Sequence, residues 1–166
     1  LIVGTDFGPG SMTDSGYPRV LKRWKRGTPL ADATTIFEGR AEDTWVGASV
    51  DHTPGFEHTL VVRALDFYRQ ETFLLEGGRL VRLDVPDDAR LSFLHSAGVA
   101  GDTLLLELRS DYLAGERVFA KGSLLATDFA AFRRGERRFQ PLFEPSETRS
   151  LAGVATTRSH VLVNIN

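Results

Sequence analysis

The sequence predicts an all-β fold: a partial β-propeller of about three blades, each an antiparallel four-stranded sheet. Three observations predict it. Short apolar or alternating segments, separated by turn residues, recur roughly every 8–12 residues along the chain. Helical periodicity is scarce, and the best stretch, Ala126 to Arg134, carries no sustained 3.6-residue stripe. A strand–turn–strand unit also recurs along the chain.

The strands read in order. Leu1 to Phe7 is a strand that leaves into a Gly/Pro loop, and Tyr17 to Lys25 alternates. Thr34 to Glu38 is short and rich in β-branched residues. Trp45 to Val50 and Thr59 to Leu65 pair antiparallel around Thr53-Pro54-Gly55. Glu71 to Leu75 and Arg79 to Val85 flank Gly77-Gly78, which suits a tight hairpin because both positions accept positive φ. Leu91 to His95 and Thr103 to Leu108 flank Gly98 to Asp102. Val118 to Leu125, Phe139 to Phe143, Leu151 to Thr156 and Val161 to Ile165 follow.

The repeat separates a propeller from a sandwich or barrel. Lys25-Arg26-Gly27 leads into Ile36-Phe37-Glu38, and Arg133-Arg134-Gly135 leads into Leu142-Phe143-Glu144. Gly27 and Gly135 lie 108 positions apart, with Gly77-Gly78 between them, so the repeat is near 54 residues. Propeller blades run about 40–50 residues, or longer with insertions. Each unit is followed by a polar gap and an apolar hairpin: Trp45 to Leu65, Leu91 to Leu108, Leu151 to Ile165. Four strands per blade give about three blades.

Composition narrows the function classes. Hydrophobic residues make up 42% and charged residues 25%, ordinary for a globular domain. A net charge of -2 makes no electrostatic case for nucleic acid or an anionic membrane. The basic cluster Arg133, Arg134, Arg137 and Arg138 contains Glu136 and reads as a solvated turn. The chain has no cysteine, so it has no disulfide, thiolate metal site or Cys nucleophile. A cytoplasmic location is the expectation, with the periplasm as the alternative. The sequence starts at Leu1 within a strand pattern and ends in the apolar strand His160 to Asn166, so both ends read as cut. Three blades do not close a ring, and self-association through exposed blade faces, or an apolar patch, is expected.

One stretch is more specific. Gly4 to Arg19 is followed by Leu21-Lys22-Arg23-Trp24-Lys25-Arg26-Gly27-Thr28-Pro29-Leu30. Pro18 to Leu30, a strand carrying Arg-x-x-Lys-x-Trp and then Arg-Gly-Thr-Pro-Leu, resembles the propeller region of bacterial serine peptidases of the prolyl oligopeptidase family. Gly115 to Leu125 and Gln140 to Phe143 are similar to that family too. The resemblance implies that residues 1–166 are one propeller fragment. It implies a parent that adds the remaining blades and an α/β-hydrolase domain with a Ser-Asp-His triad, and that hydrolyses short peptides. The propeller would cap that triad and filter substrates by size. No Gly-x-Ser-x-Gly nucleophile elbow occurs, and Gly122-Ser123 lacks the second glycine. No catalytic, cofactor-binding or metal residue is therefore assigned, and no cofactor is expected. The partners implied are the absent hydrolase domain of the same chain and short peptides passing through the propeller. The alternative is a non-catalytic propeller that binds protein or carbohydrate.

The remaining candidates have structural readings. Gly4, Gly8 and Gly10 lack the Gly-Lys-Ser/Thr ending of a phosphate loop, and no helix follows. His52 and His58, with Asp51 and Glu57, flank a turn but define no full ligand set. His95 and His160 lie in apolar strands and read as satisfied, partly buried histidines. Trp24, Trp45, Phe67, Tyr68, Phe73 and Phe93 read as core aromatics, and Asp84, Asp87 and Asp88 around Pro86 as a turn.

Overall fold

Antiparallel meanders built from short β-strands account for nearly all of the regular structure. The computed structural model describes residues 1–95, 102–157 and 160–166. It divides into two units, Leu1–Asp87 and Asp88–Asn166.

The first unit holds two sheets. β1 (Ile2–Gly4), β2 (Val20–Arg23) and β3 (Thr34–Glu38) form a three-stranded sheet in that order. β4 (Trp45–Val50), β5 (Thr59–Ala64), β6 (Gln70–Glu76) and β7 (Arg79–Arg82) form a four-stranded meander, also in chain order. The register pairs Val46 with Arg63, Val61 with Phe73 and Leu75 with Leu80. Period-2 alternation puts Val46 and Val61 inside, where they meet Leu21 of the three-stranded sheet. Ile2, Ile36, Phe37, Phe73 and Leu80 close over this cluster, with the Phe37 and Phe73 rings 5.3 Å apart. Burial of these apolar faces drives the packing of the two sheets.

The second unit holds a four-stranded sheet in the order β13-β12-β9-β8 and two hairpins. Its strands are β8 (Arg90–His95), β9 (Asp102–Glu107), β10 (Tyr112–Ala114), β11 (Arg117–Phe119), β12 (Leu124–Asp128), β13 (Gln140–Phe143), β14 (Leu151–Thr156) and β15 (Val161–Ile165). β10–β11 is a hairpin inserted between β9 and β12, and β14–β15 is a second hairpin. Leu104, Leu105 and Leu106 of β9 are all fully buried, which marks a central strand covered on both faces. Leu105, Leu124, Ala126 and Phe143 form a core against Leu151, Val154, Val161 and Val163 of the β14–β15 hairpin.

The repeat is visible in the connections. Gly27 lies between β2 and β3, Gly77-Gly78 between β6 and β7, and Gly135 between β12 and β13. These are corresponding connections of three successive sheets. Gly77 and Gly78 have φ of 54° and 79°, the left-handed values that a tight hairpin turn needs. The apolar hairpins read from the sequence are β4–β5, β8–β9 and β14–β15, the opening strands of each following sheet.

Several boundaries differ from the sequence reading. Helix α1 (Phe129–Arg133) is a single short turn, because Ala126 to Asp128 belong to β12, where their backbone pairs with β9. Asp128 caps the helix, its carboxylate accepting the Ala131 N–H at 2.6 Å. Val118 to Leu125 is not one strand. The turn at Ala120–Ser123 divides it into β11 and β12, with Gly122 at φ 82°. Leu1 to Phe7 contracts to β1 and Tyr17 to Lys25 to β2, since only those residues find ladder partners. Gly98–Gly101 of the expected β8–β9 turn lie outside the described residues.

Candidate functional site

A network of paired charges around a buried carboxylate sits in the first unit, around the start of the four-stranded meander. Gly39–Thr44 carries the chain from β3 into β4, and Asp43 in this segment has a side chain only 4% exposed. Arg63 of β5 donates Nε to Asp43 Oδ2 at 2.7 Å and Nη2 to Oδ1 at 2.8 Å. Its Nη1 donates to Glu71 Oε2 of β6 at 3.0 Å, and Arg82 of β7 reaches Glu71 Oε1 at 3.3 Å. The Arg40 backbone N–H adds a 2.6 Å bond to Asp43 Oδ2. Burial pushes the Asp43 carboxyl up, but the Arg63 hydrogen bond, the Arg40 amide and both guanidinium charges outweigh it and hold the group below its ordinary value. The Asp43 hydrogen bond raises the Arg63 pKa in turn. Every charge here is matched, so the network orients strands and offers no free group for chemistry. The sequence reading missed it. The available signal was charge inside apolar strands, which is buried only when paired.

The Gly4–Gly10 stretch leaves β1 as a loop tied by Asp6. Asp6 Oδ1 accepts the Gly8 N–H at 2.8 Å and the Ser11 hydroxyl at 3.0 Å, and Ser11 also donates to the Gly8 carbonyl. Beside it, Phe7, Arg19, Lys22 and Glu38 line a shallow groove of about 280 Å3. Arg19 is engaged by Glu38 and the Gly39 carbonyl, and Lys22 stands 4.3 Å above the Phe7 ring. The Gly8 amide is taken by Asp6, the Phe7 amide by the Ser11 hydroxyl and the Ser11 amide by the Gly8 carbonyl, and Gly8 and Gly10 have φ of 108° and 81°, so the turn itself accounts for these glycines.

The remaining candidates fall apart or are absorbed. Asp51 accepts the Thr53 N–H and Glu57 the Gly55 N–H, so both carboxylates beside His52 and His58 shape the turn. Among the described residues no group of three or more potential ligands is placed to hold a metal. His95 Nδ1 lies 2.7 Å from Asp102 Oδ1 and stacks on Phe93. His160 is exposed and lies just before β15, contrary to the partly buried strand reading, with its N–H donating to the Thr157 hydroxyl. Arg137 bonds the Phe132 and Glu136 carbonyls and lies over the Phe132 ring, and Arg134 pairs with Glu136. Asp87 accepts the Gln70 N–H through its backbone and Asp88 accepts the Ser110 hydroxyl, so the Pro86 segment is anchored to its surroundings. Ser123 is fully buried in the turn before β12, where no substrate reaches it.

The aromatic residues require two corrections, the first being Trp45 of β4, expected in the core and 37% exposed. Phe73 packs on Phe37, Phe93 meets Phe129 edge-on, and Trp24 donates to the Thr28 carbonyl. Phe67 and Tyr68, expected in the core, are 90% and 74% exposed. They sit in the β5–β6 connection, where Asp66 Oδ1 accepts the N–H groups of Tyr68 and Arg69 and folds the chain into a tight turn that points away from the sheet.

No family model matches the chain. Curated relatives and a solved structure do. The chain is 30% identical to the uncharacterized peptidase y4nA of Sinorhizobium fredii, over 99% of this chain and 23% of the relative. It is 27% identical to the uncharacterized peptidase RP174 of Rickettsia prowazekii, over 92% of this chain and 22% of the relative. A post-proline cleaving enzyme from Rickettsia typhi shares the fold, with a TM-score of 0.84 and 24% identity over 99% of this chain and 24% of that one. The chain thus spans about a quarter of the length of each. The all-β, partial propeller expectation stands, as successive antiparallel blades. In sequence the chain is similar to one segment of these longer peptidases, and in fold to the matching segment of the post-proline cleaving enzyme, in agreement with the resemblance to the prolyl oligopeptidase family.

Proposed function

We propose that this chain is the substrate-filtering propeller segment of a serine-type peptidase that hydrolyses short peptides. The chemistry belongs to an α/β-hydrolase domain elsewhere in the same polypeptide, where a Ser-Asp-His triad forms an acyl-enzyme. Cleavage after proline is the specificity that the Rickettsia typhi neighbour brings to this reading. The observation that carries it is coverage: the match runs through nearly all of this chain but about a quarter of each peptidase. The absence of a Gly-x-Ser-x-Gly elbow from the sequence agrees with a non-catalytic share of that protein.

The test uses the full-length protein. It should cleave a short proline-containing chromogenic peptide, lose that activity to a serine-reactive inhibitor, and leave a long unfolded protein such as casein intact. Casein cleaved as readily as the short peptide would end the filter reading. A full-length protein without inhibitor-sensitive hydrolysis would favour a binding propeller instead.

A further inference from the structure

β4 is an end strand of its sheet, and its register shows which of its backbone groups are spent. In an antiparallel pair, alternate residues bond the neighbouring strand and those between them point the other way. Asp51, next after β4, donates its N–H to the His58 carbonyl at 2.8 Å, so the odd-numbered residues of β4 bond β5. The even-numbered ones face away from the sheet. Val46 is taken, because its N–H donates to the Pro18 carbonyl at 3.1 Å. Ala48 and Val50 are exposed, and among the described residues their outward N–H groups have no partner.

Edge strands are ordinarily guarded by charge, proline or a bulge. β7, at the other end of the same sheet, carries Arg79 and Arg82. β4 holds no charged residue, and its pairing with β5 runs without a shift in register. An open edge of this kind is a template for an extended chain, whose own N–H and C=O groups it satisfies. The open stretch is short. The Pro18 contact bounds it at one end and the turn after Asp51 at the other, so it suits a few residues of a short peptide rather than a full strand.

Trp45 stands beside this edge. Its six-membered ring folds over Gly47, where a Cβ would lie 2.8 Å from Cζ3 and 3.3 Å from Cε3. Glycine thus lets the indole lie along the strand. The ring is 37% exposed, and among the described residues its N–H has no hydrogen-bonding partner and its face no aromatic neighbour. A tryptophan with an open apolar face and a free donor is suited to an interface. On a strand added to β4, the residue opposite Gly47 brings its side chain to about 5 Å from that position, beside the ring. The N–H of that residue points away from β4, so proline fits there without the loss of a bond.

We propose that the free edge of β4 binds a short extended peptide as an added strand, with an apolar side chain, proline included, against Trp45. Ala48 exchanges both backbone hydrogen bonds with one peptide residue, and Val50 offers a further N–H. This inference rests on the peptidase reading above and names how its substrate is held.

The test measures binding of a fluorescein-labelled hexapeptide, built of valine and threonine around one proline, to the full-length protein with its nucleophile blocked by a serine-reactive inhibitor. Ala48→Pro removes an outward N–H that the β5 ladder does not use, and Trp45→Ala removes the ring. Each should raise the dissociation constant about tenfold, the size of effect of a lost hydrogen bond or aromatic contact. Backbone N-methylation of the peptide should weaken binding at alternate residues and be tolerated between them, a readout that needs no change to the protein. Unchanged binding by both variants, equal effects of methylation at every residue, or no binding to the native protein would overturn the proposal. Hydrolysis of the unlabelled peptide is assayed on the native protein without inhibitor. Edge-dependent binding without inhibitor-sensitive hydrolysis removes the peptidase reading and leaves a peptide-binding propeller. Hydrolysis without edge-dependent binding removes only the strand addition.

Discussion

Arg63 grips Asp43 with two parallel hydrogen bonds, 2.7 and 2.8 Å, joining β5 to the segment that enters β4. The Asp43 side chain is 4% exposed and that of Arg63 15%. Breaking such a pair strands a buried charge. Asp43→Ala should destabilise the fold by about 3 kcal/mol in a denaturant titration, in the range seen for a buried ion left without its partner. The double substitution Asp43→Leu with Arg63→Met should cost less than Asp43→Ala alone. A double variant as unstable as the sum of its parts would show that the pair is not coupled.

The same pair sets a pH dependence. The Asp43 carboxyl titrates below its ordinary 3.8 in the folded chain. The ionised form therefore contributes stability that is complete above the ordinary value and is lost as pH falls through the lowered one. Unfolding free energy measured from about pH 5 down to pH 2 should fall less steeply for Asp43→Asn than for the native chain. Parallel curves would assign the acid sensitivity to other carboxylates.

Gly39 lies beneath this network. A Cβ there would stand 2.6 Å from Val46 Cγ2 and 2.8 Å from Asp43 Oδ2. Gly39→Ala should lower stability by about 1–3 kcal/mol, the usual cost of overpacking. Adding Val46→Ala should cost less in the Gly39→Ala background than in the native one, because it removes the closest clash.

Ser123 is fully buried, and its hydroxyl has no hydrogen-bonding partner among the protein groups. Burying an unmatched hydroxyl is unfavourable by about 1–3 kcal/mol. Ser123→Ala should consequently leave the thermal midpoint unchanged or raise it, and a fall of several degrees would reveal a bond the hydroxyl makes in solution.

The local features were legible in the sequence because local chemistry produces them. Gly77-Gly78 dictates a tight hairpin through backbone sterics alone, and Thr34–Glu38, Trp45–Val50, Leu151–Thr156 and Val161–Ile165 form strands at the bounds that their β-branched and apolar residues mark. The repeat of basic or glycine turns announced successive blades. Burial and pairing across distance were settled only by the tertiary structure. Phe67 and Tyr68 look like core residues by type, yet Asp66 turns them out to solvent. Asp43 and Arg63 meet across 20 residues because the β4–β5 register carries one to the other, and no local pattern encodes that meeting. Ala126 to Asp128 satisfy either a helix or a strand until β9 supplies a ladder partner. Backbone preferences act within a few residues, whereas the energy of a buried ion pair or an exposed ring depends on what the rest of the chain places beside it.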